Sequence, residues 1–225
     1  MRIRNRALSA AWKLLLICVA TYGLLDGAGL LAGRYDPNFP HMFTNISNLF
    51  AWGYFLCAAL RLLAGKKDAV FAPTAKYTAT VSLLVTMLIA HFMMFDTLVQ
   101  DGKLMLHLIA LHYAVPLMAL LDWALFDEKG KMPVWGPFAW LSLVLAYLAF
   151  TMIAVGVFGV YMGGGTTADA TRYPYDFLDP ALSGAGVVAQ FCLMMLAAFL
   201  ALGFLLFGLD RLMGRKKEKQ EYMHG

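Results

Sequence analysis

The chain has 225 residues, of which 61% are hydrophobic and 14% are charged, and its mean hydropathy is +0.67. Because soluble domains are about half apolar and about a quarter charged, this composition excludes a soluble globular protein. It predicts an all-α polytopic membrane protein, folded as a single domain over residues 1–225. The formal net charge is +4, and we interpret the basic residues as a membrane-topology signal rather than as a nucleic-acid-binding surface.

Six segments along the chain are apolar over the roughly 20 residues that a helix needs to cross a bilayer. A helix is expected in each, because a helix satisfies its own backbone hydrogen bonds in lipid. The first segment follows MRIRNR without a convincing cleavage site, so we expect a retained span rather than a signal peptide. The predicted spans are 8–32, 42–64, 75–99, 103–126, 134–162 and 180–209, followed by a basic tail over 210–225.

The distribution of Lys and Arg predicts the orientation of these spans. Fifteen of the 18 fall on one side, at the N-terminus, in the tail and around the connections that follow the second and fourth spans. Lys13 and Lys76 are counted among them, whereas Arg34, Lys103 and Arg172 fall on the other side. The positive-inside rule then places both termini in the cytoplasm.

The three cysteines indicate no cofactor. Cys18, Cys57 and Cys192 lie in separate apolar runs and have neither metal-site nor disulfide-framework spacing. We interpret them as small buried hydrophobic residues and predict no cofactor and no bound metal.

Polar residues inside membrane spans are costly and are functional candidates by default. Most of those in this chain fall in the non-cytoplasmic half of the predicted bundle, which predicts a polar cavity open to that side. Asp122 is the exception, near the cytoplasmic end of the fourth span. The polar residues of the outer half are Asp26, Thr44, Asn45, Ser47, Asn48, His91, Asp96, His107 and His112.

Structural interpretations exist for the same residues. Thr44, Ser47 and Asn48 have the i, i+3, i+4 spacing of one helix face and can hydrogen bond to neighbouring helices. Thr44 is also suited to cap its helix. Asp26 can pair with Asp96 or with water, and a histidine such as His107 near the interface is commonly solvated. A lone histidine such as His112 is more often a structural hydrogen-bonding residue than a catalyst.

Two functional alternatives also start from these residues. One is a metal-dependent hydrolase, since nitrogen and oxygen ligands for a catalytic zinc ion are offered by His91, His107, His112 and Asp96. Against it, His107 and His112 are about 140° apart around a helix, and no HExxH motif is present. Intramembrane His and Asp also mark transport pathways, which favours a transporter or lipid-binding protein. Neither interrupted helices nor inverted repeats are evident to support transport. A purely structural membrane protein is a further alternative.

Three motifs occur in the order expected for one family. They are TNISN at the start of the second span, LHYAVPLMALLDW in the fourth and YPYDFLDP before the sixth. On these motifs the chain resembles the family of the androgen-induced gene 1 protein and the androgen-dependent TFPI-regulating protein, together with its bacterial members. The resemblance implies a multi-pass membrane hydrolase that cleaves fatty acid esters of hydroxy fatty acids, with membrane lipids around it. It further implies location in a bacterial inner (plasma) membrane.

The resemblance also assigns roles to single residues. Thr44 matches the family's threonine at the start of a membrane helix, and His112 matches its histidine in a His-x-x-Val pattern that is followed here by Pro116. These matches imply a threonine nucleophile and a histidine base. The family's Tyr-Pro-Phe-Leu-acidic motif is matched loosely over residues 175–179, where Asp176 stands in place of the proline.

Such a reaction needs further groups. A negative charge that develops on the ester oxygen would be stabilised by Asn45, Asn48 and the N–H groups at the start of the second span, with Ser47 nearby. The sequence offers Asp26, His91 and Asp96 to orient the histidine, and Arg34 and Arg172 to bind a fatty carboxylate, without choosing among them.

Straight-helix geometry places Thr44 and His112 at different depths. At about 1.5 Å per residue, His112 lies roughly 13 Å from Lys103, whereas Thr44 is about 8 Å closer to the start of its own span. Tilted helices, a bend at Pro116 or loop residues that enter the bundle are therefore needed for the two side chains to meet.

Overall fold

The computed structural model describes residues 2–66, 71–93, 95–100, 103–163 and 172–224, without the side chains of residues 96, 97, 99, 100 and 215–224. Within these ranges, six helices are long and apolar enough to cross a membrane, which confirms the all-α polytopic fold. They are α1 (Arg6–Gly27), α2 (Phe43–Leu63), α3 (Pro73–Met93), α4 (Leu106–Phe126), α5 (Gly136–Gly156) and α6 (Ala185–His224).

Several helices are shorter than the predicted spans because the chain turns earlier. The range 75–99 is too long, since α3 ends at Met93 and a 3₁₀ turn follows over Phe95–Leu98. Strands β1 (Val99–Gln100) and β2 (Lys103–Leu104) then pair antiparallel, Val99 opposite Leu104. For this reason α4 begins at Leu106 instead of residue 103.

The other bounds differ in a similar way. The range 8–32 is too long because α1 ends at Gly27, and the range 134–162 because α5 ends at Gly156. Pro180–Ser183 forms a separate helical turn before α6. At its other end, α6 continues through the predicted tail to His224, beyond residue 209.

The turn after α1 depends on a glycine. Gly29 has a φ of +76°, in the left-handed region that L side chains rarely adopt. A Cβ atom at this position would also lie 3.0 Å from the carbonyl oxygen of Arg34. This turn returns the chain toward the start of α2, which carries Thr44.

The helices pack around α3. Among the spans, 67% of the apolar window of α3 is buried but only 11% of that of α6, so α3 is central and α6 peripheral. One core cluster contains residues of α1, α2, α3 and α4, among them Leu16, Phe55 and Leu83. A second core cluster contains residues of α3, α4, α5 and α6, among them Tyr77 and Trp140.

The outer helix faces are apolar. Leu15, Leu193 and Phe204 are 53%, 67% and 45% exposed. Such surfaces suit contact with lipid rather than water. The cysteine interpretation is wrong in part, because Cys18 and Cys57 are exposed on these faces and only Cys192 is half-buried.

A charged cluster is buried at one end of the bundle. Asp122 is fully buried, and its carboxylate accepts hydrogen bonds from Lys13 Nζ at 2.7 Å and from Lys76 Nζ. Lys76 Nζ also donates to Asp127 at 2.5 Å. Lys13 and Lys76 are therefore paired with buried carboxylates within the protein.

Candidate active site

Thr44 and His112 meet at the end of the bundle opposite the charged cluster. The Thr44 Oγ1 and His112 Nε2 atoms are 3.2 Å apart. Thr44 is the second residue of α2 rather than its N-cap, since that position belongs to Met42. Counted along the helices, His112 lies about 9 Å from Leu106 and Thr44 about 1.5 Å from Phe43, so the two side chains meet because the starts of α2 and α4 are offset along the bundle.

A backbone carbonyl orients the His112 ring. Nδ1 lies 3.0 Å from the carbonyl oxygen of Leu108, one turn earlier in α4. A carbonyl oxygen only accepts, so Nδ1 carries the proton and Nε2 has a free lone pair. Nε2 therefore accepts a hydrogen bond from the Thr44 hydroxyl, which is the arrangement that a nucleophile and its general base require.

His112 lies in a π-helical turn, Ala110–Ala114. The Val115 N–H donates to the Ala110 carbonyl, five residues earlier, as in a π helix. In this register the next N–H would belong to Pro116 and would pair with Leu111, but proline has no N–H. Asn48 Nδ2 donates to the Leu111 carbonyl instead, at 3.1 Å.

Asn48 thereby connects the two helices that carry the pair. Its Nδ2 also donates to the Thr44 carbonyl at 2.8 Å, so one amide group holds both the backbone of Thr44 and the turn that contains His112. Ser47 Oγ donates to the same Thr44 carbonyl and lies 3.0 Å from Thr86 Oγ1. The interhelical hydrogen-bonding interpretation therefore holds for Asn48 and Ser47.

The oxyanion candidates chosen from sequence do not face the open space beside Thr44. Both N–H groups of the Asn48 amide are used, and Asn45 Nδ2 donates to the Phe39 carbonyl at 2.6 Å. Asn45, Ser47 and Asn48 do not line the cavity described below. Their hydrogen bonds position the start of α2.

The other polar candidates of the outer half pair away from His112. Asp26 lies 3.3 Å from His107 Nδ1 and accepts a hydrogen bond from Tyr22, so it orients a different histidine. His107 is consequently paired rather than a solvated surface residue. His91 Nδ1 lies 3.2 Å from the Tyr113 hydroxyl. The side chain of Asp96 falls outside the described residues.

An apolar cavity of about 440 Å³ extends from the Thr44–His112 pair between α3, α5 and α6. Its apolar lining includes Ile89, Val144, Leu148, Leu196 and Phe199, and its polar lining includes Thr44, Thr86, His112, Tyr147 and Tyr175. No charged side chain of the described residues lines it. Arg34 and Arg172, the carboxylate candidates, are exposed and lie outside this lining. The cavity therefore suits a neutral, apolar chain.

Tyr175 belongs to the site, although sequence reasoning assigned it no role. Its hydroxyl oxygen accepts a hydrogen bond from the Phe43 N–H at 3.1 Å, at the start of α2. The side chain of Thr44 is within hydrogen-bonding reach of the same phenol. Burial raises the pKa of the Tyr175 phenol, so the phenol is protonated at neutral pH. The only sequence signal for it is its place in YPYDFLDP.

The zinc alternative finds little support in this arrangement. Across the described part of the chain, no three His, Cys, Asp or Glu side chains lie together as ligands of a metal ion would. His91, His107 and His112 instead face Tyr113, Asp26 and Thr44 respectively.

Comparison with known proteins gives no relative. No protein-family model, no curated protein and no solved structure matches the chain.

Proposed function

We propose that this integral membrane protein is a lipid-ester hydrolase with Thr44 as its nucleophile and His112 as its general base. One observation carries the proposal: the 3.2 Å contact between Thr44 Oγ1 and His112 Nε2, at the wall of an apolar cavity, with Nδ1 of the same ring against the Leu108 carbonyl. The motifs that resemble the androgen-induced gene 1 family support the same chemistry, with Thr44 and His112 in the matching positions.

The proposed reaction begins with proton transfer. His112 Nε2 takes the hydroxyl proton of Thr44, and Oγ1 bonds to the ester carbonyl carbon, whose π electrons move to the carbonyl oxygen. When the tetrahedral intermediate collapses, the bond to the alkoxy oxygen breaks, and this oxygen takes the proton from His112. Water then attacks the acyl-threonine in the same way, with His112 again as base, and releases the carboxylic acid.

The cavity supports an ester with a long apolar acyl group. Its volume of about 440 Å³ lies within the ~300–1,000 Å³ typical of small-molecule pockets. The family's substrates also carry a free carboxylate. Since no charged side chain of the described residues lines the cavity, that carboxylate would remain outside it, and Arg34 and Arg172 are the candidates to bind it.

The orientation forms part of the proposal. Both termini would be cytoplasmic by the positive-inside rule, which would place the Thr44–His112 pair in the non-cytoplasmic half of a bacterial inner membrane. Water for deacylation would then enter from that side.

The proposal can be tested with purified protein in detergent. The measurements are hydrolysis of a fluorogenic long-chain ester and labelling by an alkyl fluorophosphonate, for wild type, Thr44→Ala, Thr44→Ser and His112→Gln. Thr44→Ala should abolish labelling, and Thr44→Ser should retain it because the hydroxyl remains. His112→Gln should lower the rate about 10²–10⁴-fold.

The alternatives give different results. Full labelling of Thr44→Ala would refute the nucleophile assignment. Loss of activity with a chelator would favour the zinc alternative. A wild-type protein that binds long-chain esters stoichiometrically without turnover would favour a lipid-binding protein.

A further inference from the structure

The phenol oxygen of Tyr175 caps the helix that presents the nucleophile. The first N–H groups of a helix lack intrahelical acceptors, and Met42 at the N-cap of α2 provides no side-chain cap. Tyr175 Oη accepts from the Phe43 N–H at 3.1 Å, and the Thr44 backbone N–H is also within hydrogen-bonding reach. The chain segment before α6 thereby meets the start of α2.

This capping interaction directs the phenol proton away from the backbone of α2. A phenol has one O–H donor and accepts through its oxygen lone pairs. The backbone N–H groups approach the oxygen from α2, so the proton must point elsewhere. The Thr44 side chain and the Tyr147 hydroxyl are both within hydrogen-bonding reach of the phenol, and Tyr175 lines the cavity beside Thr44.

The neighbouring groups leave Tyr175 as the available donor. Tyr147 donates its hydroxyl proton to the His41 carbonyl at 2.8 Å, and both N–H groups of the Asn48 amide are engaged. Hydrogen bonds from the positive end of α2 also polarise the phenol and strengthen it as a donor. Because burial raises the pKa of this phenol, the proton is retained throughout the neutral range.

We propose that Tyr175 is a third catalytic residue, whose hydroxyl donates a hydrogen bond to the oxyanion of the tetrahedral intermediate. This inference rests on the proposed hydrolase function. As Thr44 Oγ1 bonds to the carbonyl carbon and its proton moves to His112, negative charge develops on the former carbonyl oxygen. The Tyr175 O–H, which lies beside Thr44 at the cavity wall, stabilises that charge without transferring its proton.

The first test compares Tyr175→Phe with Tyr173→Phe as the matched control. Tyr173 is a buried tyrosine two residues earlier, and it does not line the cavity. Removal of one oxyanion donor should lower kcat about 10²–10³-fold. KM and the affinity for a non-hydrolysable ether analogue should stay unchanged, because the donor acts in the transition state. Tyr173→Phe should retain the wild-type kcat.

A second pair of variants separates the catalytic role of Tyr175 from its role as a helix cap. These variants also provide the test if Tyr175→Phe does not fold. O-methyltyrosine at position 175 keeps the oxygen acceptor for α2 but has no proton to donate, so it should fold and lose kcat. para-Aminophenylalanine keeps an N–H donor at the same place and should retain much of the rate. Unchanged affinity of the O-methyltyrosine variant for the ether analogue would show that the added methyl group leaves the cavity accessible.

The outcomes distinguish a failure of the oxyanion role of Tyr175 from a failure of the proposed hydrolase function. If wild-type hydrolysis requires Thr44 and His112 but O-methyltyrosine and Tyr175→Phe match the kcat of Tyr173→Phe, the oxyanion role is wrong and the hydrolase stands. If the wild type shows no Thr44-dependent hydrolysis, the proposed function fails and the role of Tyr175 fails with it. Loss of kcat in O-methyltyrosine with recovery in para-aminophenylalanine supports the inference.

Discussion

Asp122 provides a quantitative test of how the membrane domain is held together. Its carboxylate is fully buried between Lys13 and Lys76, while Lys76 also contacts Asp127, so two cations face two anions. Asp122→Leu leaves Lys13 without a carboxylate and the cluster with one excess positive charge. Removal of one partner from a buried ion pair costs about 3–5 kcal/mol, and we expect a loss of stability in this range.

A second substitution should recover most of this loss. Lys13→Met together with Asp122→Leu removes one charge of each sign and leaves the Lys76–Asp127 pair at 2.5 Å. Replacement of a whole buried pair by apolar residues is often neutral. The double variant should therefore unfold within about 1 kcal/mol of the wild type.

Thermal and denaturant unfolding in detergent, followed by tryptophan fluorescence, would measure both effects. Glu128→Leu is the matched control, since this carboxylate lies at the same end of the bundle but its side chain is 43% exposed, and exposed ion pairs contribute about 0–1 kcal/mol. If Asp122→Leu unfolds like Glu128→Leu, the buried cluster does not stabilise the fold as described. The same follows if the added Lys13→Met change recovers none of the lost stability.

Three further predictions concern single side chains. Asn48→Leu leaves buried carbonyls of two helices without their amide donor, so stability should fall by about 1–3 kcal/mol in thermal unfolding, and ester hydrolysis should fall with it. Gly203→Ala would place a Cβ atom 2.5 Å from Trp140 Nε1 and should cost about 1–3 kcal/mol, whereas Gly208→Ala on the same helix meets nothing within 4 Å and should be neutral in the same assay. Burial raises the pKa of the Tyr175 phenol above its ordinary 10.0, so the folded protein keeps this proton where the unfolded chain loses it. Its contribution to stability is therefore complete below about pH 10 and declines above it, and a pH titration of unfolding should show a shallower alkaline decline for Tyr175→Phe.

The sequence was sufficient for the membrane fold because apolar runs near 20 residues long have few alternatives to a spanning helix. It was less accurate at the ends of the runs. Leu98, Val99 and Leu104 are as apolar as a helix requires, yet they belong to a 3₁₀ turn and a two-stranded hairpin between α3 and α4. Hydropathy does not distinguish these conformations, because it measures composition rather than backbone geometry.

The candidate site could likewise be predicted from the sequence only in part. Thr44 and His112 could be selected from motifs, but their contact depends on the offset between the starts of α2 and α4 and on the π turn, which straight-helix geometry omits. The carbonyl of Leu108 could not be selected, since every residue has one and only the fold decides which is near an imidazole. The pairing of Lys13 with Asp122 could not be predicted either, because the two residues are 109 positions apart in the chain.

The π turn in α4 has a consequence for how this protein can vary among related sequences. A π turn amounts to one residue inserted into an α-helix, so deletion of one residue within Ala110–Ala114 would restore regular geometry locally. It would also rotate the residues before the turn by about 100° relative to those after it. Either the half that begins at Leu106 or the half that contains Asp122 would then face the wrong neighbours. Related chains should therefore accept substitutions in α4 far more readily than a change in its length.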